Sequence, residues 1–109
     1  MYYVSKRFEV SAAHYVTTDH HTKCEALHGH NWIIIVHCKS ETLDEDGMVT
    51  DFTLIKRNIM SKIDHKNLNE VLDFSPTAEN LAKWICDETP NCVKVEIWES
   101  ENNKAVYEL

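Results

Sequence analysis

The sequence predicts an α+β domain in which two strands, two helices and two further strands follow in that order, the four strands forming an antiparallel sheet with both helices on one face. Two observations carry this reading. Apolar and polar residues alternate at both ends of the chain, whereas the middle places apolar residues three and four apart behind capping residues. At 109 residues the chain suits one domain, 1–109, with one modest core, and no repeat, linker or low-complexity segment divides it.

From the N-terminus, residues 2–15 alternate, with Phe8, Val10, Ala12 and His14 on one side and Arg7, Glu9, Ser11 and Ala13 on the other, as a half-buried strand requires. Residues 16–29 are polar and read as a connecting loop. Residues 30–40 form the second strand, whose run from Trp32 to Val36 suggests cover on both faces. A turn follows at Asp44–Gly47, then a short extended piece, Met48–Thr50. Asp51 is placed to cap a helix with the stripe Phe52, Ile55, Ile59 and Ile63, ending near Asp64. After a loop through Asn67 and Asn69, Ser75 and Pro76 have the chemistry of an N-cap and first helical position. The second helix then carries Leu81, Ala82 and Ile85 inward and stops around Thr89 and Pro90. Val93, Val95 and Ile97 alternate with Lys94, Glu96 and Trp98 in a third strand, and Ala105–Glu108 supply a fourth after a turn at Asn102 and Asn103. The open sheet edges of such a domain invite oligomerisation.

Composition narrows the function. Eighteen acidic against eleven basic residues leave a net charge of -7, which disfavours nucleic acid and anionic lipid as partners. No apolar run approaches membrane-spanning length and no signal peptide is evident, so the expected location is the cytoplasm and no membrane partner is expected. Four cysteines, Cys24, Cys38, Cys86 and Cys92, contain no C-x-x-C pair and are expected to be free thiols. Six of the seven histidines, by contrast, crowd into positions 14–37.

His28 and His30 are two apart, so in an extended segment both project from one face. His14 shares the parity of the core side of the first strand. Three imidazoles from adjacent strands suit zinc and leave a fourth tetrahedral position for water or substrate, which is the catalytic arrangement. Two other readings stand beside it: a pair of merely satisfied histidines, or a structural site in which Cys24 is a ligand with His28 and His30. Glu99 shares the parity of Val93, Val95 and Ile97, which places a carboxylate on an apolar face where it needs a partner.

Together, F-x-V-x-A-A-H at Phe8–His14, C-x-x-x-H-G-H at Cys24–His30, G-M-V-T-D-F at Gly47–Phe52, D-H-x-x-L-N at Asp64–Asn69, P-T-A-E-N at Pro76–Asn80 and the glutamate Glu99 resemble the 6-pyruvoyl-tetrahydropterin synthase superfamily. Its bacterial branch includes the 6-carboxy-5,6,7,8-tetrahydropterin synthases of the queuosine pathway. The resemblance implies the tunnelling fold, with subunits joined edge to edge into barrels and stacked as a hexamer, a dimer of trimers. It implies zinc on His14, His28 and His30, 7,8-dihydroneopterin triphosphate as substrate, and Cys24 as proton acceptor. The resemblance also matches Asp64 and His65 to a relay pair, open to use by the zinc site of a second chain, and Glu99 to the residue that holds the pterin.

Thr77 is a candidate substrate contact, with helix capping as an equally good reason for it. His65 likewise suits a helix C-terminus. His20, His21 and His37 have no motif partner and are expected at solvated positions. Lys23, Lys66 and Arg7 are candidate contacts for the triphosphate. The 6-carboxy product is favoured over the 6-pyruvoyl product. A folate-directed side-chain cleavage, suggested by Glu25 beside Cys24, ranks third. The non-enzyme alternative is a zinc-binding oligomeric scaffold.

Overall fold

The structure, a computed structural model, describes residues 1–19 and 25–109. Strands β1 (Tyr2–His14) and β2 (His28–Ser40) pair antiparallel along their whole length, from Tyr2 opposite Ser40 to His14 opposite His28. Helix α1 (Phe52–Ile63) leads into a two-residue strand β3 (Lys66–Asn67) and one turn of helix α2 (Leu68–Val71). Helix α3 (Ala78–Glu88), strand β4 (Cys92–Ser100) and strand β5 (Asn103–Glu108) complete the chain. The sheet order is β3-β1-β2-β4-β5.

The α+β reading holds, with a sheet of five strands where four were expected and a third, short helix. The added strand makes the single parallel pairing among the described residues, Lys66 and Asn67 against Ala12 and Ala13. Two residues of strand give no alternation to detect, which is why this segment reads as loop. The second strand begins at His28, earlier than position 30, and Met48–Thr50 is irregular. The Asp44–Gly47 turn is present, with the Gly47 N–H donating to the Asp44 carbonyl at 2.9 Å and Gly47 at φ 80°.

The core lies between one sheet face and the helices. Val10 and Ala12 of β1, Trp32, Ile34 and Val36 of β2, and Val95 and Ile97 of β4 meet Ile55, Ile59 and Ile63 of α1 and Leu81, Ala82 and Ile85 of α3. Asp51 caps α1 as expected, its carboxylate accepting from the Thr53 N–H at 2.8 Å. Phe52, counted in the α1 stripe, is instead exposed and borders a groove with Tyr2, Tyr3 and Val4 at the start of β1. The cap of α3 is Thr77, not Ser75, its hydroxyl accepting from the Asn80 N–H at 3.1 Å. In β4 a bulge opposite His37 and Cys38 turns Cys92 inward and leaves Val93 half-buried, so the simple alternation from Val93 fails at its first residue.

Candidate metal centre

His14 ends β1 and His28 and His30 begin β2, and the β1–β2 register sets His14 opposite His28 and Ala12 opposite His30. All three side chains share the inward face with Trp32, and the imidazole centroids lie 4.6 to 5.1 Å apart. Glu99, two residues after Ile97 on β4, reaches the same point. One ligand atom from each of His14, His28, His30 and Glu99 lies within 4.8 Å of every other. Ligand atoms around a tetrahedral ion with bonds of ~2.0 to 2.1 Å sit about 3.3 Å apart, so a small inward adjustment closes this set on a cation.

The hydrogen bonds fix which nitrogen faces the centre. His14, 1% exposed, donates Nδ1–H to the Pro76 carbonyl at 2.7 Å, and His28 donates Nδ1–H to the Ala26 carbonyl at 2.7 Å. In a neutral imidazole this leaves Nε2 as a lone pair. His14 Nε2 then lies 3.1 Å from Glu99 Oε1 and His30 Nε2 lies 2.9 Å from the same oxygen. Lone pairs and a carboxylate oxygen at such separations repel unless a proton or a cation stands between them. His30 Nε2 is buried and, despite the short separation, has no hydrogen bond of acceptable geometry. Burial holds the His30 imidazole below its ordinary value, His14 and His28 add to the shift, and Glu99 opposes it. The donor set and the orphaned nitrogen therefore fit a metal ion, and His14, His28, His30 and Glu99 can hold one.

The frame around the cluster explains the other motifs. Asp64, the C-cap of α1, accepts from the Ser11 N–H at 3.0 Å, and the His65 N–H donates to the Ser11 carbonyl at 2.7 Å. Leu68 is fully buried, and Asn69 bonds both backbone groups of Tyr15, at 2.8 and 3.0 Å. The D-H-x-x-L-N segment thus ties down the end of β1 on both sides of His14, at Ser11 and at Tyr15. Asn80 donates to the Ser75 carbonyl at 3.0 Å and, with Thr77, closes the turn that presents the Pro76 carbonyl to His14. Pro76 and Ala26 act on the histidines through backbone carbonyls, which no side-chain pattern announces.

The relay candidates stand elsewhere. His65 has φ 57°, its side chain is 82% exposed, and its Nε2 lies 3.5 Å from Asp64 Oδ2. It borders a groove with Ser11, Ala13, Gly29 and Asn31, which alternate with the inward residues, and whose floor is formed by the strands at Ala12 and His30. Within one chain Asp64 and His65 do not join the cluster. Thr77 is engaged as a cap. Glu99 also borders a groove of about 390 Å³ with Ala78, Glu79, Asn103 and Lys104. Lys104 is engaged as well, with Nζ 2.7 Å from Glu96 Oε1, and His37 lies 2.7 Å from Glu96 Oε2. His37 is half-buried, where a solvated position was expected. Hydrogen bonds from Lys104 and His37 hold the Glu96 carboxyl below the usual range. Cys24, His20, His21 and Lys23 lie outside the described residues.

The pattern of the family 6-pyruvoyl tetrahydropterin synthase matches residues 3–109. The chain belongs to this family. It is 29% identical to the 6-carboxy-5,6,7,8-tetrahydropterin synthase of Bacillus subtilis over 95% of this chain and 83% of that protein. It is 34% identical to the enzyme of the same name from Synechocystis, over 98% and 93%. It is 36% identical to the 6-pyruvoyl tetrahydrobiopterin synthase of Dictyostelium discoideum, over 78% and 73%. The fold matches Caenorhabditis elegans 6-pyruvoyl tetrahydropterin synthase with a TM-score of 0.79 at 24% identity, covering 99% of this chain and 95% of that one. No helix among the described residues is long and apolar enough to cross a membrane.

Proposed function

We propose that this chain is a zinc-dependent cytoplasmic lyase that converts 7,8-dihydroneopterin triphosphate and one water to 6-carboxy-5,6,7,8-tetrahydropterin, releasing acetaldehyde and triphosphate, for queuosine biosynthesis. The observation that carries the proposal is the convergence of His14, His28 and His30 beside a groove bordered by Glu99. The names of the Bacillus and Synechocystis relatives support the 6-carboxy product.

His14, His28 and His30 would hold zinc through Nε2 of His14 and His28 and a nitrogen of His30. Zinc bound there supplies Lewis-acid polarisation of the substrate's side-chain hydroxyls. Glu99 fixes the pterin, because its carboxylate accepts together the parallel 2-amino and N3–H donors of the ring. From the wall shared by the histidine cluster and the groove, it would turn the pterin side chain toward His14, His28 and His30. Cys24, two residues before the Ala26 carbonyl that orients His28, takes a proton from the side chain as thiolate. Asp64 orients His65 and stabilises its cation for proton relay. Because this pair stands apart from the cluster, it serves the site of a neighbouring subunit in a homohexamer, a dimer of trimers.

The second reading is the 6-pyruvoyl product, favoured by the Dictyostelium relative. To test the assignment, the zinc-loaded protein is incubated with 7,8-dihydroneopterin triphosphate and the products are identified by mass spectrometry with a hydrazine trap for acetaldehyde. Acetaldehyde in equal amount to 6-carboxytetrahydropterin is expected. The 6-pyruvoyl compound without acetaldehyde would establish the second reading, and a zinc-bound protein without turnover would leave a scaffold.

A further inference from the structure

Three cysteines lie away from the histidine cluster, and the proposed reaction does not use them. Cys38 on β2, Cys86 on α3 and Cys92 on β4 are all buried free thiols facing the layer between sheet and helices. The bulge in β4 brings two of them into register. His37 stands opposite Lys94 and the next pair is Cys38 opposite Cys92, so Val93 is the extra residue and the two thiols share the inward face. Directly opposed residues on antiparallel strands have Cα atoms about 4.5 to 5.5 Å apart, inside the range of about 4.4 to 6.8 Å seen across disulfides.

The two sulfurs are chemically unequal. Chiefly the neighbouring Cys92 thiol, with help from the Thr50 hydroxyl, holds the Cys38 thiol below its ordinary value against the effect of burial, while the Cys92 Sγ also lies 3.5 Å from the Lys94 carbonyl as a donor. The Cys38 thiol and burial in turn push Cys92 up. Access is through the strand ends. Cys92 is the first residue of β4, and Cys38 is followed in β2 by Lys39 and Ser40 alone. Such ends open locally at less cost than a strand's middle.

We infer that Cys38 and Cys92 form a redox-modifiable thiol pair, which a peroxide converts into a cross-strand disulfide. The Cys38 thiolate attacks the peroxide O–O bond, giving a sulfenic acid and one water. The Cys92 sulfur then attacks the Cys38 sulfur, the S–O bond breaks, and the hydroxyl leaves with the Cys92 proton as a second water. Two thiols are oxidised by two electrons and one hydrogen peroxide is reduced to two waters. A thiol or phosphine reductant reverses the bond. The bond would close a long loop containing α1, α2 and α3 and so constrain the unfolded chain.

The test treats the reduced, zinc-loaded, full-length chain with hydrogen peroxide, blocks remaining thiols under denaturant, and maps peptides without reduction. A Cys38–Cys92 linked peptide is expected, with a rise in thermal midpoint of about 4 °C or more that a phosphine reductant reverses. Cys86→Ala should keep both the link and the rise, while Cys92→Ala should lose both. Should Cys92→Ala fail to fold, Cys38→Ala serves the same purpose from the other strand. A Cys86–Cys92 link, or peroxide that oxidises Cys24 while Cys38 and Cys92 are still recovered as free thiols, overturns the inference.

Discussion

At the scale of residues, the proposed function separates groups that would hold the metal from groups that would use it. Three Nε2 or equivalent nitrogens suffice for a tetrahedral site with one open position. His28→Ala should therefore lose zinc and turnover together, read by metal analysis after dialysis. Cys24→Ala should keep zinc near one per chain and lose most activity, and loss of its metal would instead make Cys24 a ligand. Glu99 poses a sharper question, because its carboxylate stands within 3.1 Å of His14 and 2.9 Å of His30. If its task is the pterin, Glu99→Gln turns one acceptor into a donor facing the ring's own donors. Charge-assisted bonds contribute roughly 1.5 to 3 kcal/mol each, so pterin affinity by fluorescence titration should fall tenfold or more. Zinc affinity by chelator competition should change much less, and the reverse pattern would make Glu99 a fourth metal ligand. The three histidines and Glu99 were legible because strand parity alone aims them inward. What the parity could not show is that the carboxylate meets the imidazoles, since that depends on how β4 lies beside β2.

At the scale of elements, the strands were legible and the device that tensions them was not. The 13-residue strand β1 alternates in sequence over most of its length, β2 is marked by its apolar run from Trp32 to Val36, and Asp51 supplies a recognisable helix cap, whereas the cap of α3 falls on Thr77 two residues after Ser75. β3 and α2 span six residues together, too few for any period, and they exist because long-range bonds hold them against β1. The same bonds predict a specific defect. Asn69 accepts from the Tyr15 N–H and donates to the Tyr15 carbonyl, immediately after His14. Asn69→Ala should cost about 1 to 2 kcal/mol in thermal or denaturant unfolding. It should also weaken zinc binding severalfold, since the end of β1 loses its tether, although Asn69 is not a ligand. A variant with the stability loss and unaltered zinc affinity would show that Tyr15 and His14 are held independently.

At the scale of the whole molecule, Asp64 and His65 lie outside the cluster that His14, His28, His30 and Glu99 form in their own chain. Asp64 and His65 follow α1 at the sheet's far edge, and their groove is bordered by the residues that alternate with the metal-facing ones. In the proposed shared site, two chains complete each centre, one giving His14, His28, His30 and Cys24 and the other giving Asp64 and His65. The exposed Tyr2, Tyr3, Met48 and Phe52 at one end of the sheet leave apolar surface for such a contact. In a closed symmetric ring every site repeats this division of labour, which gives the proposal a countable consequence. Cys24→Ala and His65→Ala homo-oligomers should each be nearly inactive. Mixed in equal amounts, dissociated and reassembled, they should regain about one quarter of the wild-type sites, because a site works only when the His65→Ala chain supplies Cys24 and the Cys24→Ala chain supplies His65. If both residues served the site of their own chain, no mixed assembly would contain a complete site. Activity after reassembly, compared with size by light scattering to show that mixing occurred, distinguishes the two arrangements. Recovery near one quarter supports the shared site, and hetero-oligomers that form but stay inactive reject it.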